Sequence, residues 1–312
     1  MVPHSRGSRI PQRHRGVALI LVLWISLALT LIASAMAAGL QRELRATGDL
    51  LDAAQLRQAA RAGISRAAAR MLNMESHEFE HFALLGAAGY WHRFQFGDHE
   101  VRYRVTSELG RLDLNQADRE LILGLLVAIG VEGQQADSLT DNILDWRDPS
   151  PETRLRGTPP AAYPALGIPE GRRDGPFESV EELQLVAGIT AEIYRKLLPF
   201  VTTHTGARRP APQHAAVPVL AAHPGMVLES AREWARDRED IALAGGGTLP
   251  AFPGSVRGGA RGVWAIEAVS DNGARSRSHI ETVISTQPGE HLPISYLEWR
   301  EPPIASQTTG IP

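Results

Sequence analysis

From Val17 to Leu40 the chain reads VALILVLWISLALTLIASAMAAGL, 24 residues without one charged side chain. At about 1.5 Å of rise per residue a helix of that length reaches roughly 36 Å, enough to cross the roughly 30 Å hydrocarbon core of a bilayer with some tilt. Arg6, Arg9, Arg13 and Arg15 precede it with no acidic residue among them, and such a cluster stays on the cytoplasmic side. The expectation is a single-pass protein of the bacterial inner membrane, N-terminus in the cytoplasm and bulk in the periplasm.

Three kinds of processing suit this start. A secretory signal peptide has an apolar core of about 7 to 15 residues and a small-residue cleavage site, for which Ser34-Ala35-Met36 or Ala35-Met36-Ala37 would serve. An uncleaved anchor keeps Met1. The third cut falls between Gly16 and Val17, so that residues 1–16 form a basic leader and the apolar helix becomes the mature N-terminus. A basic leader, a Gly and an apolar helix beginning at the cut resemble the class III signal of type IV pilins and pseudopilins. In most of those proteins the fifth mature residue is Glu, which pairs with the N-terminal amine of a neighbouring subunit. Counted from Val17, that position is Leu21. A buried carboxylate needs its partner, and a subunit lacking it makes no such contact to one above. Among pseudopilins this resembles the K-type minor subunit.

The remaining 270 or so residues are ample for one or two packed domains. Cys is absent and Lys196 is the only lysine, which removes disulfide frameworks, thiolate nucleophiles and Cys-ligated metals. With a formal net charge of -3 there is no global basic field to recruit nucleic acid. His77-Glu78-Phe79-Glu80-His81 has the H-E-x-x-H spacing of zinc hydrolases but is read as the decoration of a solvated helix end, and there is no G-x-S-x-G of a serine-nucleophile elbow. It is expected not to be an enzyme.

Beyond the span, Leu44, Leu51, Leu56, Ile64 and Leu72 recur among Ala, Arg and Gln, so one helix can run from the bilayer to about Asn73. Gly48 and Gly63 weaken it and offer a hinge as the alternative. Residues 99–108 alternate, with Val101, Tyr103 and Val105 on one face, which predicts a half-buried strand. Residues 262–270 and 276–286 flank Asp271-Asn272-Gly273, the pattern of a tight hairpin, and residues 292–299 supply a further strand. The region between reads as helical. Asp113 or Asn115 is expected to cap a helix over 116–129 ended by Gly130. A second helix covers 134–146 with Leu139, Ile143 and Trp146 on one face, followed by a Pro- and Gly-rich loop over 148–176. Ser179-Val180-Glu181-Glu182 forms a capping box, and Leu183, Val186, Gly188, Ile189 and Tyr194 give a helix-hairpin-helix pattern. After a Pro-rich linker over 207–218, a last helix pair is expected around 219–222 and 227–238. The fold class is α+β: a transmembrane helix (17–40) continuing into an α/antiparallel-β head (41–111 and 251–301), with an all-α insertion (112–250) and a tail (302–312).

The succession LDLNQADRELILGLL, DNILDWRDPSPE, Gly157, Tyr163 and PFESVEELQLVAGITAEIYRKLLPFVT is similar to the inserted domain of the K-type minor pseudopilin family of type II secretion, also called general secretion pathway protein K. The family opens its first helical unit with Asn-Leu-Asn-Thr-Ala, and this chain with Asp113-Leu114-Asn115-Gln116-Ala117. The resemblance implies a pilin-like head with a helix-hairpin-helix, SAM-like insertion. It also implies a place at the pseudopilus tip with I-type and J-type minor pseudopilins, and dealings with the major pseudopilin, the inner-membrane platform and the prepilin peptidase. It further implies a calcium site. Asp145, Asp148, Ser150, Glu152 and Asp174 are the hard oxygen donors that calcium accepts. The family often has Asp where Ser150 stands and Gly-Ala-Glu where this chain has Gly157-Thr158-Pro159. The alternative is that Asp145 and Asp148 merely close a helix and start a turn.

The competing function is a membrane-anchored, competence-type protein that reads DNA with the helix-hairpin-helix unit. That use wants a second Gly beside Gly188 to open the amides to phosphate, which Gly188-Ile189-Thr190 lacks, and Glu178, Glu181 and Glu182 repel the backbone. No nucleic-acid partner is expected.

Overall fold

The computed structural model describes residues 15–74, 76–87, 89–150, 152–168, 171–245, 247–252, 262–273, 277–286 and 294–301. The leader up to residue 14 and the expected tail 302–312 lie outside them. The chain divides into two compact units, residues 1–55 and 56–312.

The first unit contains most of helix α1 (Arg15–Asn73), which passes through Gly48 without a break. Every described side chain from Leu19 to Gln55 is exposed. A charge-free apolar helix left bare by its own chain is suited to lipid or to other helices, not to water.

In the second unit the last five turns of α1 bury Leu56, Ala60, Ile64, Ala67, Ala68 and Met71. That spacing of three and four puts them on one helical face. All but Leu56 share a core with Phe82 and Ala83 of α2 (Ser76–Ala87) on one face of a five-stranded antiparallel sheet. Its strands are β1 (His92–Phe96), β2 (His99–Ser107), β5 (Val263–Asp271), β6 (Arg277–Ser285) and β7 (Ser295–Arg300), in the order β1-β2-β5-β6-β7. The alternation read from the sequence holds: Val101, Tyr103 and Val105 are buried, the last two in one core with Ile266, Ala268 and Ile280. Strands β2 and β5 are neighbours, Tyr103 opposite Ala268, although the described elements between them in the chain are mostly helical. The mixed α+β class with helices set between two adjacent strands is the expected one.

The intervening elements are β3 (Leu112–Asp113), α3 (Arg119–Ala128), α4 (Gly133–Arg147), α5 (Ala191–Leu197), β4 (Val201–Thr202), α6 (Val217–Ala221) and α7 (Leu228–Leu243). Their buried residues, Leu112 to Phe252, form a core of their own around Leu121, Leu125, Leu139, Ile143 and Trp146. Strand β3 pairs in parallel with β4, Leu112 opposite Val201.

Several expectations need correcting. Helix α3 begins at Arg119, capped by Asp118, whose carboxylate accepts from the Leu121 amide at 3.0 Å. Asp113 and Asn115 are drawn to longer-range partners instead. Asp113 accepts from the Thr205 and Gly206 amides at 3.1 and 2.8 Å, and Asn115 exchanges two bonds with the Phe177 backbone. The connection after β5 is longer than a two-residue turn, since pairing ends at Asp271 and resumes at Arg277. The capping box of Ser179 and Glu182 is formed, but it opens a 3-10 turn, Val180–Leu185. Strand β1 was missed. It meets β2 through Gly97-Asp98, with Gly97 at φ +58°, a conformation that glycine adopts without strain.

Gly63 has a packing role. A Cβ there would lie 2.9 Å from both Ala268 Cβ and Val101 Cγ1, so the helix lies on the sheet at a distance only glycine permits. Gly63→Ala gains about 1 kcal/mol of helix propensity but overpacks against a short, stiff neighbour, at about 1–3 kcal/mol. We expect a net loss of about 1 kcal/mol in denaturant unfolding of the detergent-solubilised chain. At Gly48, where a Cβ meets nothing within 4 Å, the same substitution is expected to cause no loss.

His204 Nε2 lies 3.1 Å from Glu298 Oε2 on β7. That bond raises the histidine pKa above its ordinary value against the opposing effect of burial. Burial pushes Glu298 up, but His204 and Arg300 outweigh it and hold the carboxyl below its usual range. A raised base stabilises the fold fully below its unfolded pKa of about 6.5 and loses that contribution as pH climbs through the folded value. The lowered acid loses its share only in acid. The gap in melting temperature between wild type and His204→Gln is therefore expected to be wide near about pH 6 and to close by about pH 9.

Candidate functional site

Helix α4 carries a polar stripe that a surface helix would turn to water. Asp141, Asn142 and Asp145 are instead buried, Asp145 completely. Loop residues 154–158 lie over them, and three of their backbone amides bond to these side chains in place of secondary structure. The Arg154 amide donates to Asp145 Oδ2 at 3.2 Å, the Arg156 amide to Asp141 Oδ2 at 3.2 Å and the Thr158 amide to Asn142 Oδ1 at 2.6 Å. A Cβ on Gly157 would collide with Asp145 Oδ2, so glycine is needed where the loop crosses the helix. Below the loop, Trp146 packs beside Tyr163 and Phe177, ring centroids 6.1 and 6.2 Å away, and its indole donates to Glu182 Oε2 at 3.1 Å. Burial pushes the Tyr163 hydroxyl pKa up.

The structure brings together four of the five residues expected to hold calcium, but it does so around arginines. Arg154 Nη1 donates to Asp145 Oδ1 at 2.6 Å and its Nη2 to Asp148 Oδ2 at 3.0 Å. Arg172, whose side chain has no exposed surface, pairs through Nε with Asp174, donates from Nη2 to the Ser150 carbonyl at 3.1 Å, and places Nη1 3.6 Å from Asp145 Oδ2. Asp148 is held below the usual carboxylate range by the Ser150 amide and then by Arg154. Asp174 adopts φ +52°, the only positive φ among described non-glycine residues. Glu152 is exposed, and only its amide reaches the cluster, at Ser150 Oγ. Calcium takes six to eight oxygens at about 2.3–2.6 Å. Here the same oxygens accept from guanidinium nitrogens, and a divalent cation would stand against two like charges. As arranged, the residues do not fit calcium. Arg154 and Arg172 were not singled out from the sequence. The available signal was the Arg-rich character of both arms of the loop, Thr153-Arg154-Leu155-Arg156 and Gly171-Arg172-Arg173.

The other predicted positions are not part of this cluster. Gly16 and Val17 lie in the first turn of α1, and Leu21 is exposed on it. The turn of the helix-hairpin-helix unit faces inward: Ala187 is buried, its carbonyl accepts from Asn142 Nδ2 at 2.8 Å, and a Cβ on Gly188 would meet Leu139 at 2.9 Å. One cluster went unread. Glu267, His279 and Glu281 on β5 and β6 place three ligand atoms within 4.8 Å of one another, His279 Nε2 lying 2.9 Å from Glu267 Oε1. Arg104 takes the other Glu267 oxygen at 2.6 Å. Burial pushes Glu267 up, and His279 with Arg104 more than offsets this.

Known proteins resemble the chain. The profile of the family described as "Type II secretion system (T2SS), protein K" matches residues 107–205. Type II secretion system protein K of Klebsiella pneumoniae is 29% identical over 204 residues, 61% of this chain and 62% of that protein. Its counterpart in Aeromonas hydrophila is 30% identical over 218 residues, 61% of this chain and 63% of that protein. The chain thus spans a little under two thirds of the length of these relatives. Among solved structures, a chain of the GspK-GspI-GspJ complex from the enterotoxigenic Escherichia coli type 2 secretion system superposes with a TM-score of 0.50 at 12% identity, covering 80% of this chain and 99% of that one. At that identity the likeness is one of fold. The profile match falls on the segment whose motifs suggested it, so residues 107–205 are similar to the type II secretion system protein K family, and proteins of that name are similar to about three fifths of the chain.

Proposed function

We propose that this chain is a minor pseudopilin that joins I-type and J-type minor pseudopilins at the tip of the type II pseudopilus, starts its assembly in the inner membrane and supports export of proteins across the outer membrane. The observation that carries this reading is a protein K domain set between two adjacent strands of a sheet, in a chain whose first helix is apolar over the length of a bilayer. The titled assembly of the structural relative, a GspK-GspI-GspJ complex, supports the choice of partners.

Each expected feature has a physical role in such a machine. Removal of residues 1–16 by the prepilin peptidase frees Val17 as the N-terminus, which is then open to methylation. The bare apolar face from Leu19 onward packs beside the helices of sister subunits, the major pseudopilin and the platform. Leu21 offers no carboxylate to a subunit stacked above, and a helical domain of this bulk obstructs one as well. The role is architectural, not catalytic. DNA reading by the helix-hairpin-helix unit is disfavoured because its turn is engaged with α4, and Glu178 and Glu182 hold Arg173 in ion pairs.

The test is the mature N-terminus together with the company the protein keeps. Chain isolated from membranes in detergent is expected to begin at Val17 and to copurify with the I-type and J-type subunits. Gly16→Ala is expected to leave residues 1–16 attached and to reduce secretion at least tenfold. A start at Met1 or near Ala38 in secreting cells, or tip complexes that form without this chain, would reject the proposal.

A further inference from the structure

We propose that Arg154 and Arg172 act as built-in cations for the loop over 148–177, so that this chain folds its protein K domain without a divalent ion. The inference stands on geometry and is independent of the place of the chain in the pseudopilus.

Each of the four expected ligands that come together is bonded to one of these two side chains. Asp145 accepts from Arg154 and forms a longer ion pair, at 3.6 Å, with Arg172, whose Nη1 makes no hydrogen bond; Asp148 accepts from Arg154, and the Ser150 carbonyl and Asp174 from Arg172. Three carboxylates thus face two guanidinium groups. A guanidinium carries five donors in a fixed planar fork, and here the forks span both arms of the loop. Arg154 links the end of α4 to the strand of loop above it, and Arg172 ties residue 150 to residue 174. Crosslinking of distant carboxylates and carbonyls is the structural service that a bound calcium ion performs.

Burial makes the arrangement hard to exchange. Asp145 and the Arg172 side chain are both without exposed surface, and a buried charge is tolerated only while it is paired. Calcium arriving at Asp145 would have to strip that carboxylate of two guanidinium groups and one backbone amide. Arg172 would then stay as an uncompensated buried cation next to a divalent one, or leave its pocket and open the loop. Neither course is favourable. The replacement positions fit the same logic. Ser150 contributes its backbone carbonyl, not a carboxylate, to Arg172, and the Thr158 amide, in the Gly-Thr-Pro that stands in place of Gly-Ala-Glu, is spent on Asn142.

The experiment is thermal unfolding of the full chain in detergent, followed by Trp fluorescence and near-ultraviolet circular dichroism, in millimolar calcium chloride and in chelator. A ligand that binds only the folded state raises the melting temperature with its concentration. Wild type is expected to melt within about 1 °C in the two conditions. Arg172→Met is expected to melt several degrees lower in both, because it leaves Asp145 and Asp174 short of a counter-charge. Should Arg172→Met fail to fold, Arg154→Lys serves. It keeps the charge and loses the fork, and is expected to melt lower in both conditions by a smaller margin. A saturable rise of several degrees with calcium for wild type, or variants that melt with wild type in chelator, would overturn the proposal.

Discussion

The carboxylate of Asp113 holds the helical segment closed. It is buried, and it accepts four hydrogen bonds: from the Asn115 amide, the Thr205 amide and hydroxyl, and the Gly206 amide, all between 2.8 and 3.1 Å. These bonds fix the point where the chain leaves the sheet beside the point where the first helical stretch ends, and the two-residue pairing of β3 with β4 continues the tie. A long insertion between adjacent strands costs little entropy once its ends are together, because closure grows only with the logarithm of loop length. The return stretch is bound in the same region. The Ala211 amide donates to the Leu109 carbonyl at 2.7 Å, and Arg238, buried in α7, donates to the Ala215 carbonyl at 2.6 Å.

Arginine satisfies several further buried oxygens of this domain. Arg147 caps two carbonyls that α3 leaves open at its approach, Leu114 at 2.5 Å and Ala117 at 2.6 Å. Burial lowers its pKa, with the charge of Arg154 adding to the effect. Arg238 is treated alike by burial and stands by His214, which burial and then Arg238 push down to about 4, leaving it neutral in the interior. A lysine, a hydrated point charge on a flexible stem, reaches several carbonyls at once less well than a planar fork does. In a chain without cysteine, these multivalent side chains supply the crosslinks that disulfides could otherwise provide.

The elements legible in the sequence were those whose burial is one-sided. The apolar run of α1, the alternation of β2 and the Leu139, Ile143, Trp146 stripe of α4 each declare a face to one solvent or one core. Strand β1 escaped because it lies at the edge of the sheet and its pattern, His-Arg-Phe-Gln-Phe, is largely exposed. The start of α3 was misplaced because Asp113, Asn115 and Asp118 are all fit to cap, and only tertiary structure assigns the first two to residues 177, 205 and 206. The loop over 148–176 was read as needing an ordering agent, and its acidic residues were named. The arginines beside them were not, because a carboxylate cluster looks the same in sequence whether or not an arginine some 22 residues away lies against it.

That ambiguity has a consequence for assembly. A domain whose counter-charges come from outside is complete only where the ion is present, and its surface is set by a binding equilibrium. On the reading in which Arg154 and Arg172 are the counter-charges, the domain closes as a unimolecular event, as soon as residues 145 to 174 are available to one another. The carboxylates and guanidinium groups of that loop are joined by one stretch of chain, so their effective concentration is independent of the medium. Fixing the loop in turn fixes Trp146, Tyr163 and Phe177 beneath it, and through Asn115 and Phe177 it reaches the Asp113 clasp. The shape this domain presents would then be determined by folding alone.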